Sequence, residues 1–144
     1  MGLNFTISEL IKSDVANANK INNIPQQAYI YDNLLNLIIF CLQPLREKIG
    51  KPIIISSGYR CDKLNKLVGG VSNSDHRFGA AADIHTKSDK PDDNKTLFDT
   101  ICMLAKAGRI ECRQIINEYN YNWIHISVNN KHNSTKKNQI LHIK

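Results

Sequence analysis

Between Ser72 and His85 the chain reads SNSDHRFGAAADIH, and within it His76 and Asp83 stand seven positions apart in a segment too rich in Gly and Ala to be explained by packing. That spacing restricts the fold more than any other feature of the chain. Side chains that meet across one helical turn are three or four positions apart, so this pair must meet in another way. A loop turning at Gly79 can return His76 to the side of a strand that carries Asp83. Neutral imidazole and carboxylate oxygen suit a borderline cation such as zinc, and a catalytic zinc takes three protein ligands plus a water. The third ligand must then come from elsewhere, and His125 in the alternating segment WIHIS is the best candidate. Such a chelate is held by tertiary structure and needs a folded scaffold around it.

Scaffold elements can be read in order. Thr6-Ile-Ser-Glu9 is a capping box opening a short helix with Ile7, Leu10 and Ile11 on one face. Residues 17–23 are polar and read as loop. Pro25 suits the first turn of a long helix over residues 26–48, whose stripe Ile30, Leu34, Leu37, Ile38, Cys41, Leu42 and Leu45 follows the helical period. Pro44 is expected to kink or end it. Ile53–Ile55 reads as a buried strand, and 62–68 as a short helix closed by Gly69-Gly70. Residues 80–84 form a strand, 88–95 a polar loop, and 94–107 a second helix with Leu97, Ile101, Leu104 and Ala105 on one face and Gly108 as its stop. Strands over 113–118 and 123–128 flank a turn at Asn120-Tyr121-Asn122, and 139–143 adds a last strand. The sum is an α+β fold, with helices packed on a small, mainly antiparallel sheet.

At 144 residues the chain fits one domain that can bury a core without staples. The four cysteines show no CxxC spacing and read as reduced, buried thiols. No basic stretch followed by an apolar one opens the sequence, so no cleaved leader is expected. Nor is any apolar run long enough to span a bilayer. Lys and Arg exceed Asp and Glu by 19 to 13, which favours anionic partners. They are scattered, however, with only Lys136 and Lys137 adjacent late in the chain, so a nucleic-acid surface is not expected.

A two-residue turn at Tyr121-Asn122 would pair Glu118 directly with His125, on the same sheet face and about 4.5–5.5 Å apart at Cβ. Zinc lowers the pKa of its water to about 7, and a carboxylate so placed can take the proton. Arg60, leaving the Ile53–Ile55 strand through a Gly turn, can offer a guanidinium to a substrate carboxylate or oxyanion. Taken singly, each residue also has an ordinary reading. His76 and His125 can be packed or surface histidines, Glu118 half of a surface ion pair, Arg60 a solvated cation, and Tyr59 a packing residue. Asp83, set in Ala-Ala-Asp-Ile, is a half-buried carboxylate that needs a partner. His85 can be an outer neighbour of the site or a plain surface group, while His132 and His142 carry no signal.

Together these residues resemble the M15 peptidases, the zinc D-alanyl-D-alanine carboxypeptidase family, and especially its short phage-type and bacterial members. The matching pieces are Ser57-Gly-Tyr-Arg60, Asn65, Gly69-Gly70, Ser74-Asp-His76, Gly79-Ala-Ala-Ala-Asp83 and Trp123-Ile-His-Ile-Ser127, in the family's order and within residues 53–128. The resemblance implies one zinc held by His76, Asp83 and His125, on an α+β fold shared with the hedgehog signalling domain. It implies that Arg60 assists the substrate carbonyl or carboxylate and that Glu118 takes the place of the family's catalytic acid. Some members carry that glutamate three residues before the last ligand, where this chain has Asn122; others carry a histidine two residues before it, where this chain has Trp123. The expected reaction is amide hydrolysis in the stem peptide of peptidoglycan, as carboxypeptidase or endopeptidase. The expected setting is a monomeric, endolysin-like enzyme of phage or prophage origin, made in the cytoplasm and acting on the cell wall. The rival expectation is a zinc-containing binding module that has lost hydrolysis.

Overall fold

The computed structural model describes residues 2–144. Its central helix is built in three parts: α3 (Ala28–Leu37), a π-helical turn over Ile38–Leu42, and α4 (Gln43–Ile49). The expected stripe is buried along all of it. The helix continues through Pro44 rather than ending there. Pro44 has no N–H to donate, and the widened turn just before it, where the Gln43 N–H donates to the Ile38 carbonyl, absorbs the irregularity inside a continuous rod. The helix then ends at Gly50.

Before it come α1 (Ile7–Ile11) and α2 (Asp14–Ala18). The capping box on α1 is present, with Thr6 Oγ1 accepting from the Glu9 N–H and Glu9 Oε1 accepting from the Thr6 N–H. α2 starts on a Ser13 cap, so the loop expected from Asn17 begins only after Ala18. α5 (Asp62–Leu67) follows β1 (Ile53–Ser57). α6 (Pro91–Lys106) starts three residues earlier than expected, because Pro91 occupies the first helical turn, where a missing N–H costs nothing, and Asp92 and Asp93 favour the positive helix end.

The sheet has the order β1-β2-β4-β3-β5, with β2 at Ala81–Thr86, β3 at Gln114–Glu118, β4 at Trp123–Ser127 and β5 at Gln139–Ile143. All neighbours are antiparallel except β3 and β5, so the expected α+β architecture with a mainly antiparallel sheet is the one observed. Strand alternation divides the two faces. Ala82, Ile84, Ile115, Ile124 and Ile126 are buried in the core, where α6 packs on β2, β3 and β4, while Asp83, Ile116, Glu118 and His125 share the opposite face.

The connection from β4 to β5 crosses the end of that open face as a strap. Asp75 is buried beneath it, taking Arg113 Nη1 at 2.9 Å on one oxygen and the Asn130 and Asn133 amides at 2.9 and 2.6 Å on the other. Arg113 Nε donates onward to the Ser134 carbonyl at 2.7 Å, and the His132 ring stacks on Phe78 at 4.1 Å. A stretch that reads as merely Asn- and Lys-rich is therefore tied at several points. Cys41 and Cys112 are buried with their sulfurs 3.1 Å apart, and all four cysteines are free. Among the described residues, no helix is long and apolar enough to cross a membrane.

Candidate metal centre

His76 sits on a short 3-10 turn, Asp75–Phe78, in a region expected only as loop. Ser74 caps the turn by accepting from the His76 N–H, and Gly79 ends it at a left-handed φ of 71°. A side chain at Gly79 would also run into the Ile30 carbonyl of α3, so glycine is needed there on two counts. The chain then enters β2 through the fully buried Ala80–Ala82, and Asp83 comes up on the open face. Asp83 lies directly opposite His125 in the β2–β4 register.

These placements bring three side chains to one point. Asp83 Oδ1 is 3.3 Å from His76 Nε2 and 3.2 Å from His125 Nδ1, and one donor atom from each of the three residues lies within 4.8 Å of the other two. With metal–ligand bonds of 2.0–2.1 Å, the edge of a tetrahedron is about 3.3 Å, so the spacing fits zinc. The other nitrogen of His76 donates to the Gly58 carbonyl at 2.7 Å, which fixes its tautomer and turns the Nε2 lone pair toward Asp83. Two imidazoles and one carboxylate leave a tetrahedral ion one open position, as a catalytic site requires.

Electrostatics bind the three together. Burial works to raise the Asp83 carboxyl, but His76 and His125 more than offset it and hold it well below the usual carboxylate range. Burial works against the His125 imidazolium, yet the Asp83 carboxylate raises its pKa overall.

Arg60 adjoins the cluster, with Nη2 3.8 Å from the second Asp83 oxygen. Its Nε donates to Ser57 Oγ at 3.3 Å and its Nη1 to Asn65 Oδ1 at 3.0 Å, so the fork is pinned with one edge toward the open face. Gly70 makes this possible, since a Cβ there would overlap both the Asn65 amide and the guanidinium. Burial lowers the Arg60 pKa, with Asp83 and Glu118 acting in the opposite direction; the guanidinium stays charged.

Glu118 does not pair with His125. The two-residue turn expected at Tyr121-Asn122 is instead a four-residue loop, Tyr119–Asn122, whose first three residues all take positive φ. The register is therefore Glu118 opposite Trp123 and Ile116 opposite His125. A slip of two keeps the side-chain parity, so Glu118 still shares the face of His125 as a diagonal neighbour, about 7–8 Å away by strand geometry. Burial and the Asp83 charge raise the Glu118 pKa, while His125 and Trp123 work to lower it. The Trp123 Nε1 is buried with no hydrogen-bond partner among the described residues.

His76, Asp83, His125, Glu118 and Arg60 all line one hollow of about 480 Å³. His85 does not reach it; its ring nitrogen faces the Thr86 carbonyl at 2.7 Å and Asp89 at 3.4 Å. Sequence reasoning passed over Asp75 and Arg113, whose ion pair underlies the same hollow. The only sign was an acidic residue adjoining His76, and its partner, 38 positions away, has no local signal.

The family model described as Peptidase M15 matches residues 3–127. Over 69 residues the chain is 39% identical to the zinc D-Ala-D-Ala carboxypeptidase of Streptomyces albus G. That alignment covers 47% of this chain and only 23% of the Streptomyces protein.

Proposed function

The chain belongs to the M15 peptidase family; from this premise we propose that it is a zinc metallopeptidase that hydrolyses peptide bonds in the stem peptides of bacterial peptidoglycan, an endolysin-like activity on the cell wall, with His76, Asp83 and His125 as the zinc ligands. The observation that carries the reading is the convergence of two imidazole nitrogens on one carboxylate oxygen at 3.2 and 3.3 Å, on the sheet face that Glu118 and Arg60 also share. The substrate class is supported by the likeness to a D-Ala-D-Ala carboxypeptidase. An excess of 19 basic over 13 acidic residues suits an anionic wall.

Zinc bound there supplies a Lewis acid for the scissile carbonyl and acidifies water to near neutrality. The remaining chemistry belongs to the protein. The Glu118 carboxylate accepts a proton from the attacking water and later delivers it to the departing amide nitrogen, leaving an acid and an amine. Its raised pKa makes it a stronger base than an exposed glutamate. Arg60, already held by Ser57 and Asn65, donates from its free edge to the carbonyl oxygen as negative charge develops there, with little reorganisation at the moment of reaction. The Gly58 carbonyl orients His76 throughout.

The test is digestion of purified peptidoglycan by zinc-loaded protein, with mass analysis of the fragments. Chelator and Glu118→Gln are the controls. Peptide cleavage lost in both, with zinc retained in the variant, is the expected outcome. Intact muropeptides with the zinc-loaded wild-type protein would overturn the proposal.

A further inference from the structure

A second hollow, of about 710 Å³, meets the first at Arg60 and Asp83, the two residues that line both. It runs along β1, with Ile54–Ser57 on one side, the α1–α2 turn at Lys12–Val15 on the other, and Val68 at its rim. Among the described residues β1 pairs only with β2, which makes it an edge strand. Its outer backbone edge stays open until Tyr59, whose N–H donates to the Leu10 carbonyl and closes the way beyond. Ile54, Val15 and Val68 are large apolar residues 37, 44 and 46% exposed around this groove.

A peptidase that removes only a terminal residue needs a short pocket ending in a cation free to neutralise the terminal carboxylate. The cleft has a different shape. Arg60 stands at the junction of the two hollows rather than at an end, so its free edge serves the scissile carbonyl at the proposed reaction centre and not a terminal carboxylate farther along. Arg113, the other guanidinium in the first hollow, is taken up by Asp75, Gln114 and Ser134. Lys12 borders the groove, but Glu9 and Asp14 line it as well, so that end carries no net positive charge. The cleft continues past the proposed reaction centre on both sides.

We infer that the groove along β1 is the second half of the substrate cleft, that it takes an extended peptide segment of the substrate as an added strand on the β1 edge, and that the enzyme therefore cuts internal peptide bonds. The inference rests on the peptidase reading above and adds which bonds are cut. At about 3.3 Å per residue, the five residues of β1 give an incoming strand room for about four or five residues. Backbone pairing supplies affinity without demanding particular side chains, and the apolar rim suits small uncharged ones.

Two experiments test it. In the first, zinc-loaded protein is given pairs of stem-type peptides that differ only in whether the residue after the scissile bond ends in a free carboxylate or continues through three more residues. The longer peptide is expected to be cut with kcat/KM at least about tenfold higher, and Val68→Lys is expected to lower that ratio by about tenfold, the scale of one lost apolar contact. Cleavage confined to peptides with the free carboxylate overturns the inference. In the second, the long peptide is titrated into zinc-free protein while backbone amide resonances are followed. Ile54–Ser57 are expected to shift and to exchange more slowly with solvent; unchanged β1 amides at saturation overturn the groove assignment. If neither peptide is hydrolysed but β1 responds, the peptidase reading falls and the groove stands.

Discussion

His76, Asp83 and His125 are fixed by elements that are hard to move: a capped 3-10 turn braced on α3, and two central strands whose opposite faces lie in the core. Glu118, on the same face, stands at the end of a hairpin whose register depends on a four-residue loop. The first group is therefore preorganised by burial and by mutual electrostatics, Asp83 drawn down and His125 drawn up in pKa. The second keeps its place through parity alone. The three-residue cluster can change only by breaking the fold, whereas Glu118, the proposed base, can be retuned from the loop. Metal binding and turnover should accordingly be separable by mutation.

Asp83→Ala is the strongest test of that separation. It removes the oxygen on which both imidazoles converge and leaves the two rings, that of His76 buried, facing each other without the carboxylate. Zinc should be absent at stoichiometry after dialysis, and turnover should fall to background. Metal analysis beside circular dichroism checks that the loss is local. Glu118→Gln should instead keep one zinc per chain and lose about 10²–10⁴-fold in kcat, the usual worth of a general base. If it also sheds zinc, the contrast between the two regions collapses.

Arg60→Lys should have a smaller effect, about tenfold to a hundredfold in kcat, with zinc unchanged. Lysine keeps the charge but cannot reach Ser57 and Asn65 while presenting a third edge to the substrate. A lysine variant at full activity would reduce Arg60 to a counter-charge for Asp83.

Most of the helices and strands, and the meeting of His76, Asp83 and His125, were legible because each leaves a local or periodic trace: a 3.6-residue stripe from Ile30 to Leu45, alternation in Trp123–Ser127, and donor side chains around Gly79. Ile53–Ile55, expected as a buried strand, lies at the sheet edge with Ile54 exposed. The hairpin register was not, because three successive left-handed residues in Tyr119–Tyr121 follow no propensity rule for Tyr. The start of α6 at Pro91 was misread because a proline in a polar run looks like a breaker until the helix behind it is seen. The Asp75–Arg113–Asn133 clamp and the groove along β1 join residues far apart in the chain, and no window of sequence contains either.

The dependence on pH probes both regions at once. Glu118 must be ionised to accept a proton, so activity should disappear as pH falls through its pKa. Burial is the main cause raising that pKa and persists with zinc bound, so the acid limb of kcat/KM should lie above the ordinary glutamate value of about 4.3; a limb below it would mean that the ion's charge outweighs burial. His125 gives the complementary signature in the zinc-free protein. Its pKa is raised, so a proton competes with the metal over a range reaching above the ordinary imidazole value of about 6.5, and zinc affinity should keep climbing with pH through that range. Calorimetric titration at several pH values reads the second effect, and the rate profile reads the first.

Trp123→Phe should have the smallest effect and be the most selective. The indole faces Glu118 across the hairpin and works to lower its pKa, yet its Nε1 has no hydrogen-bond partner of its own. Phenylalanine keeps most of the apolar cover that desolvates Glu118 and removes the N–H that opposes the shift. The Glu118 pKa should then rise further, moving the acid limb to higher pH and lowering the rate on the acid side while leaving the plateau near its wild-type value. Zinc content should not change, since Trp123 supplies no donor atom to the cluster. An acid limb that stays in place would mean that the indole N–H does not act on Glu118, and that burial and Asp83 alone set its basicity.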